Sequence, residues 1–418
     1  MTISKYIPKF IVNAYHYTLA VLGAFIYGNP SKKIKVIGIT GTNGKSTVVE
    51  MAYCVLTEAG FKVAALSSIR FVINDKVQQN KTRLTMPGRF FVQKFLKQAV
   101  DAGCQYAVIE VTSQGIEQFR HLFIDFNTAV FTNLSPEHIE AHNGFDNYKK
   151  AKGKLFAVCK NIHILNIDDR WSEYYLQFTA KEKIGFAINK NEFKDAKLLK
   201  AENVVLDKDG KPSFNINGTE IKMNLAGKFN VYNALACLAV ADSQGIDLAV
   251  CKTALEKIKS IPGRMEYVIE QPFKVVVDYA FTPPALESVY QTLKPQAKKL
   301  ICVLGACGGG RDKWKRPVLG KIAGKYCDQI ILTNEDPYDE DPMTIINDVA
   351  DGAEKTSDTP IRKILDRREA IREALKFAQP GDAVAITGKG CEPSICVANG
   401  KKIDWDDREV VREEIKNG

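Results

Sequence analysis

The stretch "KVIGITGTNGKSTVVEMAYCVL", Lys35–Leu56, joins an apolar run to a glycine-rich turn and then to a helical pattern. The apolar run predicts a buried strand, and the apolar residues after Lys45 recur at helical spacing. Gly41 and Gly44 permit backbone angles that would strain other residues. A helix that starts near Lys45 presents unpaired amide groups and the positive end of its dipole. The turn is therefore predicted to bind an anion.

Two side chains make a phosphate the favoured anion. Lys45 adds a full positive charge, and the hydroxyl of Ser46 can ligate magnesium. The strict pattern G-x-x-x-x-G-K-[ST] fails because Ile39 occupies its first glycine position. The other parts follow in the required order, so a plain strand-to-helix turn with a surface lysine is the weaker interpretation. The residues expected to hold the nucleotide phosphates are Gly41, Thr42, Asn43, Gly44, Lys45, Ser46 and Thr47.

The composition is that of a globular chain of 418 residues, with 45% hydrophobic residues and a formal net charge of +9. This length predicts two or three domains. The charge suits small polyanionic substrates, and the sequence has no long Lys/Arg block that would point to nucleic acid. Ten cysteines are scattered without a C-x-x-C pair, which favours a reducing cytoplasm over disulfides or zinc.

An apolar helical pattern runs from Ile7 to Tyr27. Asn13 and His16 interrupt it, so a transmembrane span has weak support. One stripe of this helix collects Ile7, Phe10, Ile11, Ala14, Thr18, Leu22 and Phe25. We expect the stripe to pack on the protein itself. The alternative is a helix that lies on the inner membrane surface.

Strand-like apolar runs alternate with helical patterns from Lys35 to about Ile261, which predicts a parallel sheet covered by helices. Short segments between Lys181 and Met223 predict inserted β-hairpins. A second series of strands starts near Gly263, after the junction "KSIPGR". The predicted fold class is α/β, with a phosphate-loop ATPase domain, a Rossmann-like C-terminal domain and a short N-terminal helix. The predicted domains are residues 1–34, 35–261 and 262–418.

Ten ordered motifs resemble the Mur ligases, the ATP-dependent amide-forming enzymes of peptidoglycan precursor synthesis. They extend from about Lys35 to the end of the chain, and "DYAFTPPAL" and "GGGRDKWKRP" are typical of the branch that adds the third amino acid, UDP-N-acetylmuramoyl-tripeptide synthetase. The other eight motifs are "GITGTNGKST", "EVTSQGIEQFR", "FTNLSPEHIEAH", "YKKAKGKLF", "GKFNVYNALA", "PGRMEYV", "TNEDPYDEDP" and "GKGCEPSI".

The resemblance implies that ATP phosphorylates a carboxylate and that an amine then attacks the acyl phosphate. It makes Ser46, Glu110 and His138 magnesium-associated. It also implies that Lys152 carries a carbamate that binds a second magnesium ion. By itself the lysine-rich segment around Lys152 reads as a solvated helix face, with neighbouring lysines as competing registers. The expected catalytic residues are Lys45, Glu110, His138 and Lys152.

The resemblance also implies further contacts to the nucleotide and to the acceptor peptide. Arg264 and Asp278 would reach the nucleotide from the last domain when the domains close. Asn230 and Asn233 match nucleotide contacts, although Asn230 could instead cap a helix. The positions expected to hold the muramyl peptide are Thr85, Thr112, Gln118 and Arg120.

The site for the incoming amine departs from the diaminopimelate-adding enzymes. Tyr338, in "EDPY", stands where their D-N-P-R motif has an arginine that grips the distal carboxylate. Tyrosine cannot pair bidentately with a carboxylate, so L-lysine or another basic diamino acid is expected. Glu335 and Asp336 would favour such a cation. The residues expected to bind the amino acid are Arg311, Glu335, Asp336, Gly388 and Glu392.

Family members usually carry a complete N-terminal domain that binds uridine diphosphate. Only about 34 residues precede the phosphate-loop strand, so we expect this domain to be lacking. Either the N-terminal helix then supplies part of the nucleotide site, or the acceptor is lipid-linked. The expected cofactors are ATP and two Mg²⁺ ions, the expected partners are small-molecule substrates, and the oligomeric state stays open.

Two other functions compete with a muramyl-peptide ligase. One is a ligase of the same architecture with a non-muramyl acceptor, of the folylpolyglutamate or cyanophycin type. The other is a nucleotide-binding partner subunit without turnover of its own. Retention of Lys45, Glu110, His138 and Lys152 argues against the second.

Overall fold

The computed structural model of the protein describes residues 8–194 and 196–417. The helices are α1 (Lys9–Ile26), α2 (Lys45–Glu58), α3 (Arg89–Asp101), α4 (Ser113–Glu117), α5 (Ile139–His142), α6 (Phe145–Val158), α7 (Ser172–Leu176), α8 (Phe229–Ser243), α9 (Leu248–Lys257), α10 (Pro283–Leu293), α11 (Lys315–Tyr326), α12 (Pro342–Glu354), α13 (Arg367–Phe377) and α14 (Asp407–Asn417).

The strands fall into two large and two small sheets. They are β1 (Lys35–Thr40), β2 (Val63–Leu66), β3 (Arg70–Ile73), β4 (Lys76–Gln79), β5 (Tyr106–Glu110), β6 (Phe126–Phe131), β7 (Ile162–Asn166), β8 (Glu182–Ala187), β9 (Lys197–Lys200), β10 (Glu202–Leu206), β11 (Pro212–Ile216), β12 (Thr219–Lys222), β13 (Glu266–Ile269), β14 (Lys274–Asp278), β15 (Leu300–Leu304), β16 (Gln329–Leu332), β17 (Ile361–Lys363), β18 (Ala383–Thr387), β19 (Ser394–Cys396) and β20 (Lys402–Asp404).

The first large sheet has nine strands in the order β4-β3-β2-β5-β1-β6-β7-β8-β9. Its strand pairs are parallel except for the antiparallel pairs β2–β3 and β3–β4 at one edge. In its centre β1 pairs with β5 and β6, and Ile37 lies in register with Val108 and Thr128. The carboxyl ends of these three strands therefore meet at one edge, which is where parallel sheets bind ligands.

Helices cover both faces of this sheet. Ile37 and Ile39 pack toward the core shared with α2, α8 and α9, whereas Val36 packs toward the core shared with α3 and α6. The alternation follows from the two-residue period of a strand. Strands that are apolar on both faces are typical of such a sheet.

The second large sheet has the order β13-β14-β18-β15-β16-β17 and is parallel except for β13. One face packs on α10, α11 and α12, and the other packs on α13 and α14. This is the Rossmann-like arrangement that the strand-and-loop pattern predicts. The predicted α/β class is confirmed.

The hairpins predicted between Lys181 and Met223 are only partly correct. β10, β11 and β12 do form an antiparallel sheet. However, β8 and β9 continue the first large sheet in parallel. The end of β8 is buried, from Ile184 to Ala187, so core packing there overrides the local turn signals.

The stripe predicted to pack α1 on the protein is wrong. α1 does pack on α3, but through Ala20, Gly23 and Ala24, which are buried. A Cβ atom on Gly23 would lie 3.7 Å from the Arg89 carbonyl oxygen, so small residues permit this close approach. The physical reason is that apolar residues surround most of α1, and their spacing alone does not select the buried face.

The predicted stripe instead faces outward. Phe10 and Phe25 expose 72% and 78% of their surface, and the side chains of Ile11 and Leu22 are exposed as well. Ile7 lies outside the described residues. In the part of the chain that the structure describes, no helix is long and apolar enough to cross a membrane.

Candidate active site

The turn between β1 and α2 is shaped by two glycines with positive φ, Gly41 at +152° and Gly44 at +83°. A Cβ atom on Gly44 would lie 2.3 Å from the Asn233 side-chain oxygen, so only glycine fits there. Gly44 also begins α2, where no side chain caps the first amides. The turn lines a cavity of about 820 Å³ between the two large sheets, together with Thr42, Asn43 and Thr47. It has the form of an anion site.

Three side chains of the turn and its neighbours make a compact polar group. Lys45 Nζ donates to the Thr42 carbonyl oxygen at 2.9 Å and lies 3.7 Å from Glu110 Oε1. Ser46 Oγ donates to Glu110 Oε2 at 2.9 Å, and the Ser68 amide donates to the same oxygen. Burial lowers the pKa of Lys45, although the charge of Glu110 acts in the other direction.

The oxygens of Ser46 and Glu110 fit magnesium. Both are hard donors, and Mg²⁺ in nucleotide sites takes one or two protein oxygens and completes its shell with phosphate oxygens and water. His138 borders the same cavity. Burial and the surrounding cations lower the pKa of His138 to about 2, so its imidazole is neutral and able to act as a ligand.

Lys152 is buried beneath the turn. Its Nζ donates to the Gly41 carbonyl oxygen at 2.7 Å and lies 4.7 Å from the centre of the Tyr148 ring. Burial, and then the charge of Lys45, lower the pKa of Lys152 well below its usual value. Lys150 and Lys154 are exposed on the same helix. Of these three lysines, Lys152 is the one whose amine lies at the turn.

The two asparagines of α8 have different positions relative to the turn. Asn233 approaches Gly44, whereas Asn230 donates to the Ala226 carbonyl oxygen at 2.7 Å and accepts from Asn233 at 2.9 Å. Lys228, not Asn230, occupies the N-cap of α8. Asn230 therefore orients Asn233, and the capping alternative is wrong.

Arg264 reaches the turn from the C-terminal domain, as expected. Its Nη2 donates to Ser68 Oγ at 3.1 Å and lies 3.4 Å from Ser46 Oγ. Asp278 is buried behind it and accepts from the Met265 amide at 2.6 Å. Burial raises the pKa of Asp278 to about 6, although the charge of Arg264 opposes this shift. The described conformation is thus one in which both domains contribute to one site.

The residues predicted to hold the acceptor peptide line one end of the same cavity. Thr112 accepts from the Gly115 amide at 3.1 Å and so caps α4. Gln118 accepts from Arg120 Nη2 at 2.6 Å, and Thr85 lines the same cavity. Arg120 presents a guanidinium group to this end, whereas the hydroxyl of Thr112 has a structural partner.

The acidic residues predicted to attract the incoming amine already contact cations of the chain. Asp336 accepts from Lys389 at 3.0 Å and pairs with Arg83. Glu392 accepts from Lys389 at 2.5 Å, from Arg83 at 2.9 Å and from the Tyr279 hydroxyl at 2.9 Å. The expectation that Asp336 attracts a substrate cation needs correction, because Arg83 and Lys389 neutralise it.

Glu335 keeps an unused oxygen. Its Oε1 accepts from Cys307 Sγ at 2.9 Å, whereas Oε2 is buried without a partner among the described residues. Burial raises the pKa of Glu335. Gly388 packs directly against this oxygen, since a Cβ atom on Gly388 would lie 2.3 Å from Oε2. Arg311 and Tyr338 line a neighbouring cavity of about 260 Å³.

Sequence reasoning missed several residues that join the domains. Arg83 lies in a loop of the central domain and contacts the C-terminal domain. Lys315 forms a buried ion pair with Glu137 at 2.9 Å, with 3% of each side chain exposed. Arg83 is an isolated charge in a loop, where no periodic signal marks it. Lys389, Lys315 and Glu137 lie inside the quoted motifs "GKGCEPSI", "GGGRDKWKRP" and "FTNLSPEHIEAH", so those motifs could have indicated them.

The comparisons with known proteins agree with this geometry. Residues 39–241 match the family model of the Mur ligase middle domain, and residues 263–390 match that of the Mur ligase, glutamate ligase domain. The UDP-N-acetylmuramoyl-L-alanyl-D-glutamate–2,6-diaminopimelate ligase of Syntrophomonas wolfei is 40% identical over 408 residues, which are 95% of this chain and 81% of that protein. The chain belongs to the Mur ligase family.

Other known proteins are similar to the chain in sequence or in fold. The enzyme of the same name from Clostridium botulinum is 39% identical and is covered to 81% of its length. A solved structure with that name has 30% identity and a TM-score of 0.62, and the match covers 92% of this chain and 78% of that one. Folylpolyglutamate synthase of Mycobacterium tuberculosis, solved with ADP, shares the fold at 18% identity, with a TM-score of 0.70 and coverage of 89% and 91%.

Membership of the Mur ligase family confirms the resemblance that the ten motifs indicated. The expected lack of a uridine diphosphate domain stays a prediction, as do the roles of the individual residues.

Proposed function

We propose that this Mur ligase joins an amino acid to the carboxylate of a muramyl peptide in peptidoglycan precursor synthesis and converts ATP to ADP and phosphate. The observation that carries the proposal is the group of Lys45, Ser46 and Glu110 at a glycine turn, met by Arg264 from the other domain. We propose three domains for this ligase, residues 1–34, 35–261 and 262–418. The limits of the two matched family models, 241 and 263, support the second boundary.

In the first step a carboxylate oxygen of the acceptor attacks the γ-phosphorus of ATP, and the bond between that phosphorus and the β,γ-bridging oxygen breaks. In this proposal Lys45 and Arg264 neutralise the charge that develops on the phosphoryl oxygens. Magnesium held by Ser46 and Glu110 would add neutralising charge. The amine then attacks the acyl carbon, phosphate leaves from the tetrahedral intermediate, and the amine loses a proton.

We propose two further features of the catalytic set. His138 remains a neutral ligand beside a metal, which its low pKa supports. Lys152 carries a carbamate, formed when its neutral amine attacks carbon dioxide and loses a proton. The burial of this amine beneath Gly41 supports the assignment, because a carbamate there would place an anion next to a second magnesium ion.

We propose that the substrates approach from opposite ends of the cavity. The acceptor peptide lies along Thr85, Gln118 and Arg120, and the amino acid lies near Arg311, Tyr338 and Glu335. The named relatives add 2,6-diaminopimelate, which is a diamino acid. For this chain we propose a basic diamino acid such as L-lysine, because Tyr338 offers no cation to a distal carboxylate.

We also propose that the cytoplasmic enzyme works at an anionic membrane surface. The outward face of α1 displays Phe10, Leu22, Phe25 and Ile26. α1 contains no acidic residue, and exposed lysines follow it at 32 and 33. An apolar face flanked by cations is typical of a helix that lies on such a surface.

The central experiment follows product formation and phosphate release with ATP, magnesium, UDP-linked muramyl dipeptide and a set of amino acids. Lys45→Ala should lose about a thousandfold in turnover, because about 4 kcal/mol of transition-state stabilisation is lost. Lys150→Ala, an exposed lysine, is the matched control. Normal product formation by Lys45→Ala would refute the assignment, and ATP-dependent ligation of only non-muramyl acceptors would favour a folylpolyglutamate-type function.

A further inference from the structure

A cluster of cations lies where α1 packs on the first turn of α3. Arg89 Nε donates to the Gln118 carbonyl oxygen at 3.1 Å, and its Nη2 contacts His16 Nδ1. Arg120 donates through Nη2 to the Gln118 side chain at 2.6 Å and through Nη1 to the Met86 carbonyl oxygen. Neutral oxygens around Gln118 therefore hold two guanidinium groups close together.

Within the part of the chain that the structure describes, this cluster of His16 and the two cations Arg89 and Arg120 has no counter-charge. Among the described residues, no carboxylate pairs with Arg89 or Arg120. Burial and the charge of Arg89 lower the pKa of Arg120 to about 10, and burial and both arginines lower the pKa of His16. Two adjacent charges without a counterion are unfavourable in a partly desolvated place, and a bound anion would relieve that cost.

Two more observations point to an anion at this cluster. Arg120 Nε is buried and has no hydrogen-bond partner within the described residues, so a donor is left over. Arg89 is the first residue of α3, whose N-cap is Gly88 and whose first turn has neither a capping side chain nor an acidic residue. The positive end of this 13-residue helix adds to the two guanidinium charges.

The position of the cluster identifies the anion. Gln118 and Arg120 line the same cavity as Lys45 and Glu110. Arg89 and His16 continue from Arg120 toward α1. An acceptor with its reacting carboxylate at Lys45 would therefore extend its other end toward this cluster. In the substrate class that the relatives' names give, that end bears a diphosphate.

We propose that Arg89, Arg120 and His16 bind the diphosphate that links the muramyl peptide to its carrier. The inference rests on the proposed ligase function and adds the chemistry of the carrier end. A nucleoside diphosphate and a polyprenyl diphosphate present the same anionic group. The cluster thus recognises the diphosphate that both carriers share. The face of α1 beyond His16 distinguishes a nucleotide carrier from a lipid carrier.

Arg89→Gln tests the proposal with two acceptors, UDP-N-acetylmuramoyl-L-alanyl-D-glutamate and the same muramyl dipeptide without its carrier. The KM for the UDP-linked acceptor should rise at least tenfold, and the KM for the carrier-free acceptor should not change. Arg89→Lys should restore part of the loss, and Lys94→Gln, an exposed cation on the same helix, should have no effect. Equal changes for both acceptors, or no change for either, would overturn the proposal.

Calorimetry with inorganic pyrophosphate, in the presence of saturating ADP, tests the site without turnover. The wild type and Lys94→Gln should bind it at least tenfold more tightly than Arg89→Gln. Equal binding by all three proteins would overturn the proposal even if ligation occurs. Arg89-dependent binding without any ligation would instead refute the ligase function and leave an anion site.

Competition identifies the carrier. UDP and farnesyl diphosphate should each displace pyrophosphate from the wild type, because both carry the diphosphate. Tighter competition by UDP assigns a nucleotide carrier, and tighter competition by farnesyl diphosphate that weakens in Leu22→Ser assigns a lipid carrier. Failure of both compounds to compete would overturn the proposal.

Discussion

Lys152 shows how position changes the chemistry of one amine. Four lysines lie within six residues of "YKKAKGKLF", and only the register of the family motif, "Y-x-x-A-K", selects Lys152 among them. The helical period turns Lys152 inward, where it is 2% exposed and hydrogen-bonded to Gly41. Since desolvation favours the neutral form, this lysine is suited to react with carbon dioxide at neutral pH.

Lys152→Ala should be nearly inactive and should regain activity when short carboxylates such as acetate are added. The added acid would supply the anion that the carbamate provides. Initial rates across an acetate titration measure this, and Lys150→Ala should behave as the wild type throughout. Full activity of Lys152→Ala without added acid would contradict the carbamate proposal.

Asp278 links the site to stability. Its pKa is about 6 in the folded protein, against an ordinary value of 3.8, because the carboxyl is buried. A folded-state pKa above the unfolded value means that the folded protein binds the proton more tightly. Stability contributed by this group is therefore complete below about pH 4, falls as the pH rises, and is lost above about pH 6.

Asp278→Asn should therefore be more stable than the wild type above pH 6, by up to about 3 kcal/mol, and equal to it near pH 4. Denaturant unfolding at pH 4, 6 and 8 measures the difference. A difference that does not vary with pH would show that Asp278 does not titrate in this way.

At the scale of elements, α1 combines two kinds of surface. Its small residues pack on α3, and its large apolar residues face outward. Burying a large apolar side chain contributes about 1.5–3 kcal/mol. Several such side chains on one face provide enough free energy for association with a surface, once an attractive charge brings the helix close.

Replacing Phe10 and Phe25 together by serine should reduce binding to vesicles of phosphatidylglycerol and phosphatidylcholine at least tenfold. Co-sedimentation measures the bound fraction. Val205→Ser removes an exposed apolar side chain elsewhere and serves as the control. Lipid-independent dimerisation that the double variant abolishes would assign this face to a second copy of the chain and contradict the membrane proposal.

At the scale of the complete chain, contacts between the two domains build the end of the cavity that we propose for the amino acid. Arg83 comes from the central domain, yet its partners Asp336 and Glu392 belong to the C-terminal domain. The buried pair of Lys315 and Glu137 crosses the same boundary. The proposed binding site for the amino acid therefore depends on a contact that neither domain provides alone.

The arginines that could replace the missing one at Tyr338 have other partners. Arg316 is buried and pairs with Glu340 and Asp348, and Arg362 pairs with Glu373. Arg83 also reaches the amino-acid end of the cavity, but its guanidinium group already pairs with Asp336 and Glu392. Arg311 lines the same cavity as Tyr338, and we expect it to hold the α-carboxylate that every amino acid carries. On this proposal a distal substrate carboxylate has no forked partner left.

The kcat/KM for L-lysine should therefore exceed that for meso-diaminopimelate, and Tyr338→Arg should shift the ratio toward diaminopimelate. Arg83→Gln is the informative comparison, since it should weaken both amino acids alike by disturbing the domain contact. A higher kcat/KM for diaminopimelate in the wild type would overturn this prediction.

Features that depend on local order along the chain could be predicted from the sequence. The glycine turn with Lys45 and Ser46, the alternation of strands and helices, and the motif order follow from neighbouring residues and their periodicity. For that reason the α/β fold and the Mur ligase family could be predicted. The placement of Glu110 at a strand end was also readable, because parallel strands bring their carboxyl ends together.

The buried face of α1 and the cations that neutralise Asp336 could not be predicted from the sequence and follow from the packing of distant segments. Arg83 and Asp336 are 253 positions apart, and their pairing depends on how the two domains pack against each other. The same holds for Arg89, whose partner His16 lies on another helix. Such contacts arise from packing across the chain, which the period of a single helix or strand does not encode.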